Sequence, residues 1–488
     1  MQNTTEQPAL KRELGLLDST MIVAGSMIGS GIFIVTADIA RTVGSPGYIL
    51  GIWLLTGIIT LIAALSYGEL AGMMPKAGGQ YMYLKEAYNP LIGFLFGWTV
   101  FMVIQSGVIA AVAIAFAKFT GVLLPQYISD SVIVADLGIV KFSSQQALAI
   151  LLIATLTYIN LQGVKNAKLV QTTFTLAKLL ALLGLIVLGV YFGLNSGVFA
   201  HNLENFWTPF RTVANPGGGI STEALSGMVL FGAMGAAMVG SLFSSDAWNS
   251  ITYTAGEVKD PQKNIPLSLF FGTLIVTVLY VLANVAYLML LPVKGSPEGL
   301  DVLSRGIMFA TDDRVGTAAI ATIFGTAAVG IMAVLIMIST FGCNNGLILS
   351  GARLYHAMAQ DGVFFKKAGT LNKNNVPGFA LIIQGIWASL LCLSGTYGDL
   401  LDYCTFSSLL FYMVTIIGLF VLRYKQPAAA RPYKAFGYPV LPALYILIAG
   451  AICVDLLIYK ADTCGRGLVI VLIGLPVYYL WKRANKNN

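Results

Sequence analysis

Apolar runs of 18 residues or more recur along the whole of this 488-residue chain. Each is long enough to cross a hydrocarbon core of about 30 Å. Backbone groups in lipid must pair within their own segment, so such runs should be helices. A membrane β-barrel would alternate over short segments of about ten residues, whereas these runs are unbroken. Charged residues make up only 10% of the chain, against roughly 25% in soluble domains. So little charge cannot cover a soluble surface of this size. The expected fold is an all-α membrane protein with about twelve transmembrane helices. They fall near 16–38, 47–72, 91–122, 146–162, 168–194, 225–253, 264–292, 316–352, 377–396, 398–422, 436–459 and 465–481.

The basic residues set an expected orientation. With the N-terminus cytoplasmic, 19 of the 29 Lys and Arg fall on inner segments, nine fall outside, and Lys178 alone sits within a span. That bias predicts cytoplasmic termini in a cell membrane, plasma or inner. The expected organisation is a tail at 1–15, one membrane domain over 16–482 and a second tail at 483–488. Residues 1–13 are polar and carry no evident cleaved signal peptide. The net charge of +7 suits inner loops facing anionic lipid and needs no nucleic-acid partner.

Two spans are interrupted by glycine or small polar residues. Span 1 carries Gly25-Ser26-Met27-Ile28-Gly29-Ser30-Gly31, and span 6 carries Gly240-Ser241-Leu242-Phe243-Ser244-Ser245-Asp246-Ala247. Glycine costs about 1 kcal/mol against alanine inside a helix, so the three glycines and two serines of the span 1 stretch invite unwinding, and small polar residues interrupt span 6. The two stretches lie five spans apart and run in opposite directions. That pairing points to an inverted repeat with its binding site at the two breaks. The first repeat would cover 16–194 and the second 225–422, with spans 11 and 12 at 436–481 outside the scheme.

An unwound span 1 presents N–H groups and the positive end of the following half-helix, which together suit a carboxylate. Ser30 and Gly31 are the expected donors, with Ser26 adding a hydroxyl. Small residues such as Gly25 and Gly29 equally serve close helix packing. An unwound span 6 near Phe243–Ala247 frees carbonyls for an ammonium group. Asp246 lies in that stretch, and a carboxylate at membrane depth is by default functional. Its natural partner is a cation, either a ligand's amino group, a basic side chain or Lys178; the plainer role is a cap on the second half-helix. Phe243 and Trp248 would form apolar walls or a gate. Lys178 has about ten residues of span on either side, too far to snorkel with ease. It can fill the place of a coupling cation, lose its proton when desolvated, or simply face water. Glu69, Lys76 and Glu257 are candidates for an inner gate network, with surface ion pairing as the alternative.

The five cysteines have no metal-ligand spacing, and the two histidines, His201 and His356, lie in or beside loops. Neither a metal nor another cofactor is expected. An intramembrane enzyme would need a catalytic cluster that the spans do not show.

The Gly-Ser-Gly-Ile-Phe of span 1, the span 2 exit Glu69…Pro75-Lys76-Ala77-Gly78-Gly79-Gln80-Tyr81, and Asp246-Ala247-Trp248-Asn249 with Glu257…Pro261…Asn264…Pro266 resemble the amino acid–polyamine–organocation superfamily. Ser339–Gly346 with Arg353, and Tyr433–Pro439, look like its L-type amino acid transporter branch, including bacterial relatives. The resemblance implies a five-plus-five inverted repeat with two extra helices, and sodium-independent amino acid exchange by alternating access. It implies that Ser30 and Gly31 hold the substrate carboxylate. The Met27 and Phe243 carbonyls, with the Asp246 position, would meet the ammonium. Phe243 would gate, Asn249 would brace the unwound segment, and Lys178 would stand where related folds bind sodium. Two departures stand out. Residues 123–145 hold no cysteine, so no disulfide-linked heavy chain is expected. Asp246 stands where many neutral exchangers carry glycine. The expected partners are an amino acid substrate and the lipid bilayer. Small or medium neutral amino acids are the expected cargo, with a cationic amino acid, a polyamine or a proton-coupled symport as alternatives.

Overall fold

Proline and capping residues start several of the long helices. Pro46, Pro90 and Pro261 occupy first turns, where a missing N–H costs nothing, and the Asn89 side chain accepts from Ile92 N. Ser143 and Gln146 close a reciprocal capping box at the start of span 4. The computed structural model describes residues 11–136, 141–214, 219–325, 327–393 and 397–486. The expected tail residues 1–10 and 487–488 lie outside these.

Among the described residues, ten helices are long and apolar enough to cross a bilayer. They supply spans 2 to 8 and 10 to 12. Span 1 consists of two half-helices, Leu16–Met27 and Thr36–Val43. Span 9 is the short helix Gly378–Leu391, which at 1.5 Å per residue extends about 21 Å. The fold is all-α as expected, except for two small hairpins in connecting segments. These pair Ile133–Asp136 with Lys141–Ser143, and Phe210–Ala214 with Ile220–Ala224.

Span 5, Val164–Gly193, shows how the bundle sits in lipid. Leu176, Leu180 and Val187 are 50–59% exposed, while Thr175 and Lys178 on the opposite face are at most 1% exposed. Apolar side chains point out and polar ones point in, the reverse of a soluble helix. Lipid tails are as apolar as leucine, so burying leucine between helices gains little. Close packing and interhelical hydrogen bonds hold the bundle instead, each bond being worth about 0.6 kcal/mol. Thr36 donates to Asn284 at 2.6 Å, Thr56 and Ser241 share a bond at 2.7 Å, and Asn160 donates to Asn345 at 3.0 Å.

The sequence-based spans need one correction, and the structure adds two features. Span 8 does not begin at residue 316. Val315–Phe324 is a separate helix that ends at Gly325, whose φ is 59°, and span 8 proper is Ala327–Gln360. Both pieces are apolar, so hydropathy merged them across a glycine turn. Span 3 loosens into a wider π turn at Val100–Ile104. A further helix, Gln80–Ala87, lies between spans 2 and 3.

The expected inner network is also partnered differently. Glu69 accepts from Arg423 at 2.6 Å, from Arg431 at 3.1 Å and from the Ala435 N–H at 2.7 Å. Glu257 pairs with Arg353 at 3.1 Å, both side chains being fully buried. Burial raises the Glu257 carboxyl above its ordinary value even with that guanidinium beside it. Lys76 is exposed and joins neither pair. Arginines far off in sequence supply the counter-charges because they reach the same end of the bundle. The segment before span 1 is tied in as well. Leu14 bridges Val258, and Lys259 N donates to Leu14 O at 2.8 Å.

Candidate functional site

Span 1 unwinds after Met27. Ile28 turns extended at ψ 96°, and one tight turn, Gly31–Phe33, precedes the second half-helix. Unwinding strands carbonyls that a continuous helix would satisfy, and a buried carbonyl must find a donor. Here the donors are side chains of other spans. Lys178 Nζ donates to Gly25 O, to Ile28 O at 2.7 Å and to Ser339 O at 3.4 Å. Ser339 Oγ approaches Ile28 O at 3.1 Å and Gly29 O at 3.2 Å. Cys343 Sγ reaches Ser26 O at 3.0 Å, and Tyr287 reaches Ile32 O at 3.3 Å. Lys178 is therefore a hub joining span 5, the span 1 break and span 8.

Span 6 breaks after Ser244. The helix Gly227–Ser244 stops, Ala247 takes a left-handed φ of 64°, and a short helix resumes at Ser250–Tyr253. Alanine seldom adopts that conformation, so surrounding bonds must hold it. Asn249 Nδ2 donates to Gln80 at 2.9 Å and to Tyr253 at 2.9 Å. Trp248 packs edge-on against Tyr67 with ring centroids 4.7 Å apart, and tilted against Tyr412 at 5.0 Å.

The two breaks touch. A β-carbon at Gly31 would overlap the Ser244 hydroxyl, so only glycine permits this approach of span 1 to span 6. The Tyr280 hydroxyl lies 3.1 Å from Met27 O and 3.0 Å from Ser244 O. A phenol has one proton, so Tyr280 shares it between the two breaks. Ser26, Met27, Ser30, Phe243 and Asn249 are all buried around this junction. The Gly29 position is roomier, with only Cys343 Sγ near a would-be β-carbon, at 3.6 Å.

Asp246 departs from the expected arrangement. It does not meet Lys178. Its carboxylate accepts from Tyr412 and from Ser408, the latter at 3.1 Å, both on span 10. It borders a cavity of about 20 Å³, room for one water, lined also by Thr60, Ser245, Thr405, Ser408 and Tyr445. The side chain thus turns toward spans 2, 10 and 11. The left-handed Ala247 beside it re-aims the chain, which spacing along a helix could not foretell.

Tyr280, Ser339, Tyr412 and Gln80 were not singled out as site residues from sequence. Ser339 appeared only in a motif of resemblance. Tyr280 and Tyr412 are two of 22 tyrosines, and nothing in their local sequence sets them apart. Only a question about which donors meet the stranded carbonyls could have pointed to them. Among the described residues, no three His, Cys, Asp or Glu side chains gather as a metal ion would require.

Two membrane-length helices broken at matching places, with their breaks in contact at the centre of a helical bundle, define a multi-pass membrane transporter of the broken-helix class. The chain belongs to the amino acid permease family, whose profile matches residues 14–474. It is 33% identical over 482 residues to the human "Large neutral amino acids transporter small subunit 2", covering 97% of this chain and 81% of that one. It is 30% identical over 486 residues to the mouse "Asc-type amino acid transporter 1", covering 98% and 82%. The "Serine/threonine exchanger SteT" of Bacillus subtilis is 30% identical over 482 residues, covering 98% of this chain and 99% of that one.

Proposed function

We propose that this chain exchanges small or medium neutral L-amino acids across a cell membrane by alternating access, without sodium. The carrying observation is the contact of the two breaks through Gly31 and Ser244. It brings the positive end of one half-helix beside the C-terminal carbonyls of another. A ligand with a carboxylate and an ammonium group matches those two poles. The span 1 segment Gly29-Ser30-Gly31, with Ser26, reads the carboxylate. The carbonyls of Met27 and Phe243 read the ammonium once Tyr280 yields its place at Met27. Phe243 and Trp248 close the site, and Asn249 braces the unwound turn.

Sodium independence is supported by Lys178, whose ammonium meets carbonyls of spans 1 and 8 that a bound cation would otherwise meet. The names of the relatives, a large neutral amino acids transporter subunit, an Asc-type amino acid transporter and a serine/threonine exchanger, support the cargo class. Cytoplasmic termini are supported by the distribution of Lys and Arg. A disulfide-linked partner is not part of this reading, because residues 123–145 hold no cysteine.

The test is uptake of radiolabelled serine, threonine, alanine and leucine into proteoliposomes, with and without internal amino acid, in sodium or choline buffer. Uptake stimulated by internal amino acid and indifferent to sodium is expected. Absence of any amino acid-dependent uptake would sink the reading. A second reading, a cationic substrate, stays open only through Asp246, whose carboxylate is engaged by Tyr412 and Ser408 of span 10. Among the described residues Asp246 has hydroxyl donors but no basic partner. Arginine and lysine in the same competition panel decide between the two.

A further inference from the structure

Two clefts meet on the face that carries the N-terminal segment. One is lined by Arg12, Lys165, Lys168 and Lys259 with Glu13 and Asp18. The other continues past Lys165 to Lys11 and Lys373. Six basic side chains face two carboxylates here, a local excess of four positive charges. Lys168 is neutralised by Asp18 at 2.7 Å. Among the described residues, Lys11, Arg12, Lys165, Lys259 and Lys373 have no carboxylate within ion-pair distance. Uncompensated cations drawn together in a concavity favour an anion.

The cleft also has an apolar exit. Leu169 lines it and is 67% exposed. From Leu169 the exposed residues of span 5 run on through Leu176, Leu180, Leu183 and Val187. Their spacings of seven, four, three and four residues keep them on one face of the helix. A soluble polyanion has no use for that stripe, whereas an acyl chain does. Basic residues at the foot of a lipid-facing helix are the electrostatic half of lipid recognition.

We propose that this cleft is a binding site for an anionic phospholipid. The headgroup phosphate sits among Arg12, Lys165 and Lys259, and an acyl chain lies along Leu169–Val187. The site joins three segments. Arg12 precedes the Leu14–Val258 bridge, Lys259 follows it, and Lys165 begins span 5. A bound headgroup therefore clamps the N-terminal segment to the exit of span 6. The proposal rests only on the membrane placement of the helices, so its binding test is independent of which cargo is carried.

The test is native mass spectrometry of the purified full chain with added phosphatidylglycerol or phosphatidylcholine, and with glycerol 3-phosphate as a soluble competitor. The wild type should retain phosphatidylglycerol and shed phosphatidylcholine. Each lysine near a membrane surface changes association roughly fivefold. The double variant Lys165→Gln/Lys259→Gln should therefore bind phosphatidylglycerol on the order of thirtyfold more weakly. Lys366→Gln/Lys367→Gln removes the same charge from another exposed loop and should bind like wild type. Equal retention of both lipids, or equal loss in both double variants, overturns the site in favour of diffuse surface charge. Complete displacement by glycerol 3-phosphate overturns it in favour of a phosphate site that does not read the acyl chain.

Discussion

Gly31 of span 1 rests directly on Ser244 of span 6, so closely that a β-carbon on Gly31 would overlap the Ser244 hydroxyl. The glycine is therefore required by helix contact, whatever else it does for substrate. Gly31→Ala should reduce transport strongly, because overpacking costs about 1–3 kcal/mol and the excess volume falls where the breaks meet. Ser244→Gly removes the obstructing side chain. The pair Gly31→Ala/Ser244→Gly should recover a substantial share of uptake in proteoliposomes. No recovery would mean that the methyl group crowds the ligand, not the helix.

Lys178 donates to carbonyls on spans 1 and 8. Lys178→Ala strips Gly25 O of its donor and leaves Ile28 O with Ser339 Oγ alone, and a stranded buried carbonyl costs about 1–3 kcal/mol. Turnover should fall at least roughly tenfold, the equivalent of about 1.4 kcal/mol in a barrier. Wild-type uptake should not change when choline replaces sodium. Wild-type kinetics in Lys178→Ala would make the lysine a spectator, and strong sodium dependence of the wild type would contradict its place as a substitute cation.

The two helix breaks are legible in the amino-acid sequence alone. The breaks announced themselves because glycine and serine cluster where a membrane helix should be leucine-rich, and Lys178 stood out as the one basic residue within a span. What could not be read was direction. Asp246 faces Ser408 and Tyr412 just past the end of the helix at Ser244, where Ala247 also turns left-handed, and no periodicity survives such a break. Nor could sequence single out Tyr280, whose importance comes from two carbonyls on other spans. The boundary at Gly325 was hidden because apolar helix lies on both sides of it. Glu69 and Glu257 stand out as charges beside apolar spans, but their arginine partners lie far along the chain.

The orientation of Asp246 makes a claim about cargo. With its carboxylate engaged by two hydroxyls of span 10, it is not aimed at the junction of the breaks. A hundredfold excess of arginine or lysine should leave uptake of a neutral amino acid within about twofold, a change of under 1 kcal/mol. Asp246→Asn keeps the size and part of the hydrogen bonding, and should alter the neutral preference little. Potent arginine competition that disappears in Asp246→Asn would assign the carboxylate to the substrate after all.

Glu257 and Arg353 form a fully buried ion pair between the exit of span 6 and the C-terminal half of span 8. Such a pair is a weak source of net stability, yet breaking it from one side is costly, about 3–5 kcal/mol, because the other charge is stranded. Arg353→Met should lower the unfolding temperature in detergent sharply, and Arg353→Met/Glu257→Gln should regain part of the loss. The pH dependence follows from the carboxyl. Burial already raises Glu257, and losing the guanidinium removes what opposes that rise. An acid whose folded pKa exceeds its unfolded one subtracts stability as pH climbs from the unfolded value through the folded one. Arg353→Met should therefore lie closer to wild type at pH 5 than at pH 8 in thermal unfolding. A deficit that does not shrink on acidification, or a double variant no better than the single, would show that Arg353 matters through packing and its bond to Leu349 O, and not through the charge of Glu257.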